Sequence, residues 1–211
     1  MNLREVQKII KTKTDNLFQD YKGKILIGGN ITHTKKTDKG KNIIFQSLLS
    51  YNHFPVNCNL QVENNIISFH YQNAFSDNDE KNFIPVFTID YLKPNSNNRF
   101  EINNLDDIDV WMNFLKESLE NKEEIFIKFS NLDNLEEIIN KNILSNNGKE
   151  VLSIHEYEII SGLIASKILE KPYFEDIYKK YIRIAEQNDY PERTVKNVKT
   201  IYNYLKNLKN E

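Results

Sequence analysis

The sequence predicts an α+β fold: an N-terminal helix, an antiparallel sheet of about five strands packed by helices, and then a C-terminal three-helix segment. Three observations carry this expectation. Ile108, Trp111, Met112, Leu115 and Leu119 recur at offsets of zero, three, four, seven and eleven, the stripe of a helix that turns every ~3.6 residues. Residues 55–62 (PVNCNLQV) instead alternate, with Val56, Cys58, Leu60 and Val62 on one face and Asn57, Asn59 and Gln61 on the other. A strand with one wet face belongs to an antiparallel sheet covered on one side, because a parallel strand enclosed by crossover helices reads apolar on both faces. Beyond residue 150 the apolar period is helical in three successive runs. The expected division is therefore an α+β domain over residues 1–145 and a helical subdomain over residues 150–211, with Asn146, Asn147 and Gly148 at the boundary.

Taken in order, residues 2–20 place Val6, Ile9, Ile10 and Leu17 near one face, so the chain opens with a helix that ends before Gly23. Residues 24–33 (KILIGGNITH) read as a strand interrupted by Gly28 and Gly29, a pair that allows a bulge, a sharp bend or a close backbone approach. Asp38, Lys39 and Gly40 form a turn before residues 42–51 (NIIFQSLLSY), giving a hairpin whose tip is crowded by Lys35, Lys36, Lys39 and Lys41. Residues 66–71 (IISFHY) are expected to be a further strand, paired with residues 55–62 after a turn at Glu63, Asn64 and Asn65. A polar loop through Ser76, Asp77, Asn78 and Asp79 leads to a strand at residues 83–91, where Pro85 argues for an edge position. A short extended piece at residues 100–102 precedes the central helix.

Asn104 supplies a cap oxygen to that helix, and Asp106, Asp107 and Asp109 put negative charge beside its unpaired backbone N–H groups. After Leu119 the phase is ambiguous. Residues 125–129 (IFIKF) fit a strand, but the return of Phe126 and Phe129 to the arc of Trp111 favours a helical turn or two. Ser130 or Asn131 then caps a helix with Leu132, Leu135, Ile138 and Ile139 inward. Ser153 and Glu156 form a capping box ahead of Tyr157, Ile160, Ile164 and Ile168, and Gly162 in mid-helix marks a closely approaching neighbour. Pro172 and Pro191 open the last two helices, one bearing Phe174, Ile177, Tyr178, Tyr181 and Ile184, the other Val195, Val198, Ile201, Tyr202, Leu205 and Leu208.

The charges are unevenly placed. Residues 1–60 carry ten Lys/Arg against four Asp/Glu, a net +6, whereas residues 101–141 carry four against eleven, a net −7. Such asymmetry marks either a partner surface or complementary halves that pack within one fold. No run of about 18 apolar residues spans a bilayer, and residues 1–20 are a charged amphipathic helix and not a signal peptide's apolar block. The expected location is cytoplasmic, without a membrane partner. The single cysteine, Cys58, sits on the apolar face of its strand and reads as a buried small hydrophobe.

Chemical motifs are sparse. GGNITHTKKTDKGK lacks the Gly-Lys-Ser/Thr ending of a phosphate loop, and no helix pattern follows it. His33, His53, His70 and His155 are scattered, without a metal-binding spacing, and no serine sits in a Gly-x-Ser-x-Gly turn. The sequence therefore predicts no cofactor and no metal. An enzyme with ligands dispersed over His33, His53, His70 and Asp90 is one alternative, and nucleic-acid association through the hairpin lysines and those of the C-terminal helices is another. The hairpin tip, however, has none of the interleaved aromatics or arginines that line nucleic-acid grooves. The densest charge is carboxylate, and Asp106, Asp107, Asp109, Glu117, Glu120, Glu123 and Glu124 are the candidate surface for a basic protein partner.

Two stretches also carry a resemblance: NIIFQSLLSYNHFPVNCNLQV (residues 42–62), and DDIDVWMNFLKESL (residues 106–119) followed by IFIKFSNLDNLEEII (residues 125–139). Their order resembles that of uncharacterised bacterial domains encoded beside polymorphic toxins, a group that includes immunity proteins. The likeness covers residues 1–145, departs at the loop of residues 73–82 and in the helical tail, and transfers no catalytic residue. It implies a non-enzymatic protein that binds and neutralises a toxin domain.

Overall fold

In the computed structural model, residues 2–48, 54–76, 85–89, 100–145, 156–187 and 190–208 are described. Among them the elements run α1 (Leu3–Leu17), β1 (Lys22–Ile25), β2 (Ile31–Thr37), β3 (Gly40–Leu48), β4 (Phe54–Asn64), α2 (Asn65–Ala74), β5 (Phe87–Ile89), β6 (Phe100–Ile102), α3 (Leu105–Ser118), α4 (Lys122–Ser130), α5 (Leu132–Ser145), α6 (Glu156–Ile168), α7 (Phe174–Gln187) and α8 (Glu192–Lys206). The sheet has the order β1-β2-β3-β4-β5, and β6 pairs antiparallel with β4 through Phe54↔Ile102 and Val56↔Phe100. The chain is α+β with an antiparallel sheet, as its patterning predicts.

Contacts group the chain into two compact units that interleave in sequence: Met1–Val62 with Thr88–Phe126, and Glu63–Phe87 with Ile127–Glu211. The transitions fall within or at the ends of β4, β5 and α4. Helix α5, which the patterning grouped with the sheet, packs on α6 and α7 in the second unit. Asn146, Asn147 and Gly148, as well as Ser153, lie outside the described residues.

In the first unit, α1 opens with a capping box: the Asn2 side chain accepts from the Glu5 N–H at 3.0 Å, and Glu5 accepts from the Asn2 N–H at 3.2 Å. Its buried face is Val6, Gln7, Ile10 and Thr14, set against β1, β2 and α3. Residues 24–33 are two strands and not one. Gly28 and Gly29 both have φ of +91°, and the Leu26 N–H donates to Asn30 O at 2.7 Å, so the glycine pair reverses the chain between β1 and β2. Left-handed φ at two successive positions is what a glycine pair permits at least cost. The next hairpin has Thr37 opposite Gly40, leaving Asp38 and Lys39 as its two-residue turn, where the sequence places it. On β4 the burial alternates, Val56, Cys58, Leu60 and Val62 being buried while Asn57, Asn59 and Gln61 are half-buried.

The expected strand at residues 66–71 is α2, a helix. The Asn64 side chain takes the N–H groups of Ile66 and Ile67, at 3.0 and 3.3 Å, and so turns the end of β4 into a helix start. Ile67, Tyr71 and Phe75, buried at every fourth residue, give the helical repeat. A six-residue window was too short to reveal it. The expected strand at residues 83–91 is described only from Pro85 to Ile89, with β5 at the sheet edge.

Helix α3 matches its pattern closely. Ile108, Trp111, Leu115 and the capping Leu119 are buried, and only Met112 is half-buried. The indole N–H of Trp111 donates to Gln46 Oε1 on β3 at 3.2 Å, which fixes the helix on the sheet through a buried polar contact. The helix stops there: α4 is a separate helix, with Phe126 buried, and Asn131 caps α5 by accepting from the Asn134 N–H at 3.0 Å.

In the second unit α6 is buried throughout from Ile159 to Ser166, enclosed by α2, α5, α7 and α8. The close approach read from Gly162 is present: a Cβ there would lie 2.5 Å from Tyr181 Oη and 2.6 Å from Asn140 Oδ1. Glu156 is described, and it reaches across to α8. Its two carboxylate oxygens accept from Thr194 Oγ1 at 2.8 Å and Asn197 Nδ2 at 2.7 Å, both on α8.

Candidate functional site

The seven acidic residues singled out in the sequence have three different fates. Asp107 is part of the fold, because its Oδ2 accepts from the N–H groups of Asn103 and Asn104, at 2.8 and 3.1 Å, and closes a capping box with the Asn104 side chain. Asp109 pairs with Lys13 of α1, and Glu123 accepts from Tyr21 Oη at 2.9 Å and from Lys35 Nζ at 3.3 Å. The basic N-terminal stretch and the acidic segment thus partly neutralise each other inside the first unit. Asp106, Glu117, Glu120 and Glu124 are exposed and form no ion pair among the described residues.

Helical geometry gathers part of this set. At 3.6 residues per turn, Asp106, Asp109, Val110, Asn113 and Glu117 share one stripe of α3, opposite the buried arc of Ile108, Trp111 and Leu115. Val110, 54% exposed, sits within this stripe, and Leu105, 57% exposed, lies beside it at the helix start. Glu120 follows at the helix end. The surface is therefore carboxylate interrupted by aliphatic side chains, a composition that offers a partner both charge and apolar area.

Other polar groupings carried no signal in the sequence, because each joins a pair four residues apart to a partner 18 or 37 positions away. Asp15 Oδ1 meets the buried His33 Nε2 at 3.0 Å, and Lys11 donates to the other Asp15 oxygen at 2.5 Å. Burial lowers the His33 pKa below its ordinary value against the pull of Asp15, and His33 Nδ1 has no hydrogen-bond partner among the described residues. For Asp15 burial acts upward, but the hydrogen bonds from Lys11 and His33 outweigh it and hold the carboxyl low. In the second unit the buried Glu136 accepts from Asn140 Nδ2 at 2.8 Å and Tyr173 Oη at 3.0 Å, with Lys171 at 3.9 Å. Tyr181 Oη donates to Asn140 Oδ1 at 2.5 Å, and Asn140 Nδ2 also reaches Gly162 O at 3.0 Å. Burial and the Glu136 carboxylate push the Tyr173 phenol up to about 12. A cleft of about 440 Å³ opens beside this network, lined by Glu136, Glu137, Lys141, Leu144 and Tyr173.

No family model, curated protein or solved structure matches the chain.

The remaining candidates separate. His70 Nδ1 lies 3.1 Å from Tyr204 Oη, while His53, His155 and Asp90 lie outside the described residues. Among the described residues no three His, Cys, Asp or Glu side chains gather as metal ligands. Cys58 is buried, which pushes its thiol up and away from thiolate chemistry. Of the hairpin lysines, Lys35 is engaged by Glu123 and stands 5.5 Å over the Tyr21 ring. The cleft of about 500 Å³ at α7 and α8 sets Lys196 and Lys199 against Glu186 and Glu192, a balance of charge unlike a phosphate-binding groove. No helix among the described residues is long and apolar enough to cross a membrane.

Proposed function

We propose that this chain is a non-enzymatic, cytoplasmic protein-binding module whose α3 face engages a basic protein, in the manner of an immunity protein that neutralises a toxin domain. The observation that carries the reading is the stripe of α3, where exposed Val110 stands among Asp106, Asp109 and Glu117 on a helix whose other face is fixed in the core. Carboxylates spread over a rigid helix accelerate encounter with a basic surface and reject acidic ones, while the aliphatic side chains supply area to desolvate. Toxin domains that act on nucleic acid present basic active sites, and an acidic plug complements such a site. The helix is also pre-organised, since its capping box and Trp111 hold it in place without a partner.

The test is co-purification with the product of an adjacent toxin-like gene, together with growth rescue on co-expression. Complex formation that weakens with salt, and rescue lost on Asp106→Lys with Glu117→Lys, is the expected result. Absence of both complex and rescue contradicts the proposal.

A further inference from the structure

We infer that the outer side of the sheet at β1, β2 and β3 docks a single-stranded polynucleotide, a role separate from that proposed for α3. Side chains alternate between the two sides of a strand, and the inner side is marked by His33, hydrogen-bonded to Asp15 of α1, and by Gln46, hydrogen-bonded to Trp111 of α3. The register then assigns the outer side. Lys22, Thr34 and Ile43 form one row across three strands, Lys24, Thr32 and Phe45 form the next, and Lys36 opposite Lys41 closes the end near the hairpin turn. Lys22, Lys24 and Lys36 are exposed and form no ion pair among the described residues, and Phe45 is half-buried with no ring contact among them. The fold thus supplies the aromatic that the hairpin tip lacks.

The placement of charge selects the occupant. These outward positions hold four lysines and no carboxylate. Asp38 lies in the turn, Glu63 is buried at the end of β4, and Glu101, opposite Pro55, lies beyond β4. Lys22 and Lys24 stand about 7 Å apart along β1, and Phe45 lies two strands away, about 10 Å, with Thr32 between. Cations therefore form one line, Ile43 and Phe45 form a second line parallel to it, and hydroxyls lie between them. A single strand of nucleic acid has the same layout: its phosphates follow one line, and its bases project to one side and stack on aromatic rings whatever their identity. On β4 the half-buried Asn57 and Asn59 add amides, which pair with base edges. An acidic peptide does not segregate charge from rings in this way, a lipid surface offers headgroups without rings, and a duplex keeps its base faces stacked on one another. The acidic stripe of α3 lies opposite the arc that carries Trp111, so it points away from the sheet and does not repel a polyanion here.

The test is fluorescence anisotropy of a labelled oligothymidylate of about twelve nucleotides, a length within the span of such platforms, titrated with the full chain at low salt. The expected result is saturable binding that weakens as salt rises, with the probe displaced by unlabelled oligothymidylate and not by polyglutamate or phosphatidylserine vesicles at equal charge. Lys22→Gln with Lys24→Gln should lower the slope of log affinity against log salt by about 1.4, from ~0.7 for each lost phosphate contact. Phe45→Leu, with unchanged circular dichroism, should weaken binding about tenfold and leave that slope as it is. Absence of binding at low salt, displacement by polyglutamate or vesicles as complete as by oligothymidylate, or folded variants that bind as the parent does, overturns the inference. If Phe45→Leu does not fold, the pair of exposed lysines and the competition decide.

Discussion

Helices α3 and α6 show opposite ways of using one helix. One face of α3 is fixed on the sheet by Ile108, Trp111 and Leu115, and the other is left wet and acidic. In α6 every residue from Ile159 to Ser166 is buried, and its polar neighbours, Asn140, Tyr181 and Glu136, are hydrogen-bonded to one another. A helix covered on all sides serves the core, whereas a two-faced helix has a surface to spend on recognition. The polar contacts around the two helices differ as well: the outer face of α3 is tied to α1 by the exposed pair of Lys13 with Asp109, whereas α6 is met by a buried hydrogen-bonded network.

The contrast breaks first at the two buried anchors. Trp111→Ala should cost about 4 kcal/mol, from the cavity and from the loss of the donor to Gln46. Gly162→Ala should follow at about 3 kcal/mol, because the new methyl displaces Tyr181 and Asn140 from a packed site. Both are read from urea unfolding. Tyr181→Phe keeps the ring and removes only the donor to Asn140, and should cost about 1–2 kcal/mol.

How far each helix could be read from the sequence follows from the same contrast. The α3 stripe was legible because a wet face and a dry face differ in composition at every turn. The all-round burial of α6 was not, since Tyr157, Ile160, Ile164 and Ile168 make a stripe while Ser161, Gly162 and Ser166 look polar until their neighbours are known. The number of strands was nearly right for two compensating reasons: the Gly28–Gly29 reversal made two strands of one, and the Asn64 cap made a helix of another. Of the acidic set, the placing of Asp106 and Asp107 in the first helical turn was legible from their distance to Asn104, and the capping box that Asp107 closes is a finding of the structure. The pairing of Asp109 with Lys13 and of Glu123 with Tyr21 was not, because each joins residues some hundred positions apart.

The His33–Asp15 pair sharpens the picture of the first unit through pH. Burial places the folded His33 pKa below its ordinary 6.5, so on acidification the unfolded chain binds this proton first. Stability should therefore fall as pH drops below about 6.5. Asp15 adds a second, lower window, since its depressed pKa gives stability that is present above 3.8 and lost as pH falls through the folded value. Urea midpoints measured from pH 7 to pH 5 should decline for the parent chain and decline less for His33→Gln.

The smallest expected effect on folding belongs to the acidic face, and there the largest effect on binding is expected. Asp106→Lys, Glu117→Lys and Glu120→Lys, made together, replace exposed carboxylates without ion pairs among the described residues. Glu117→Lys and Glu120→Lys should each shift stability by no more than about 0.5 kcal/mol, and Asp106→Lys should cost about 0.3–1 kcal/mol because it reverses a favourable charge in the first helical turn. The direct measurement is calorimetric titration of this triple variant and the parent chain against a candidate toxin domain with a basic active site, with urea midpoints of both. Cooperative unfolding with only a small loss of midpoint, and affinity reduced by at least about tenfold, or ~1.4 kcal/mol, is the expected result. Equal affinity of variant and parent would contradict a binding role for the α3 face.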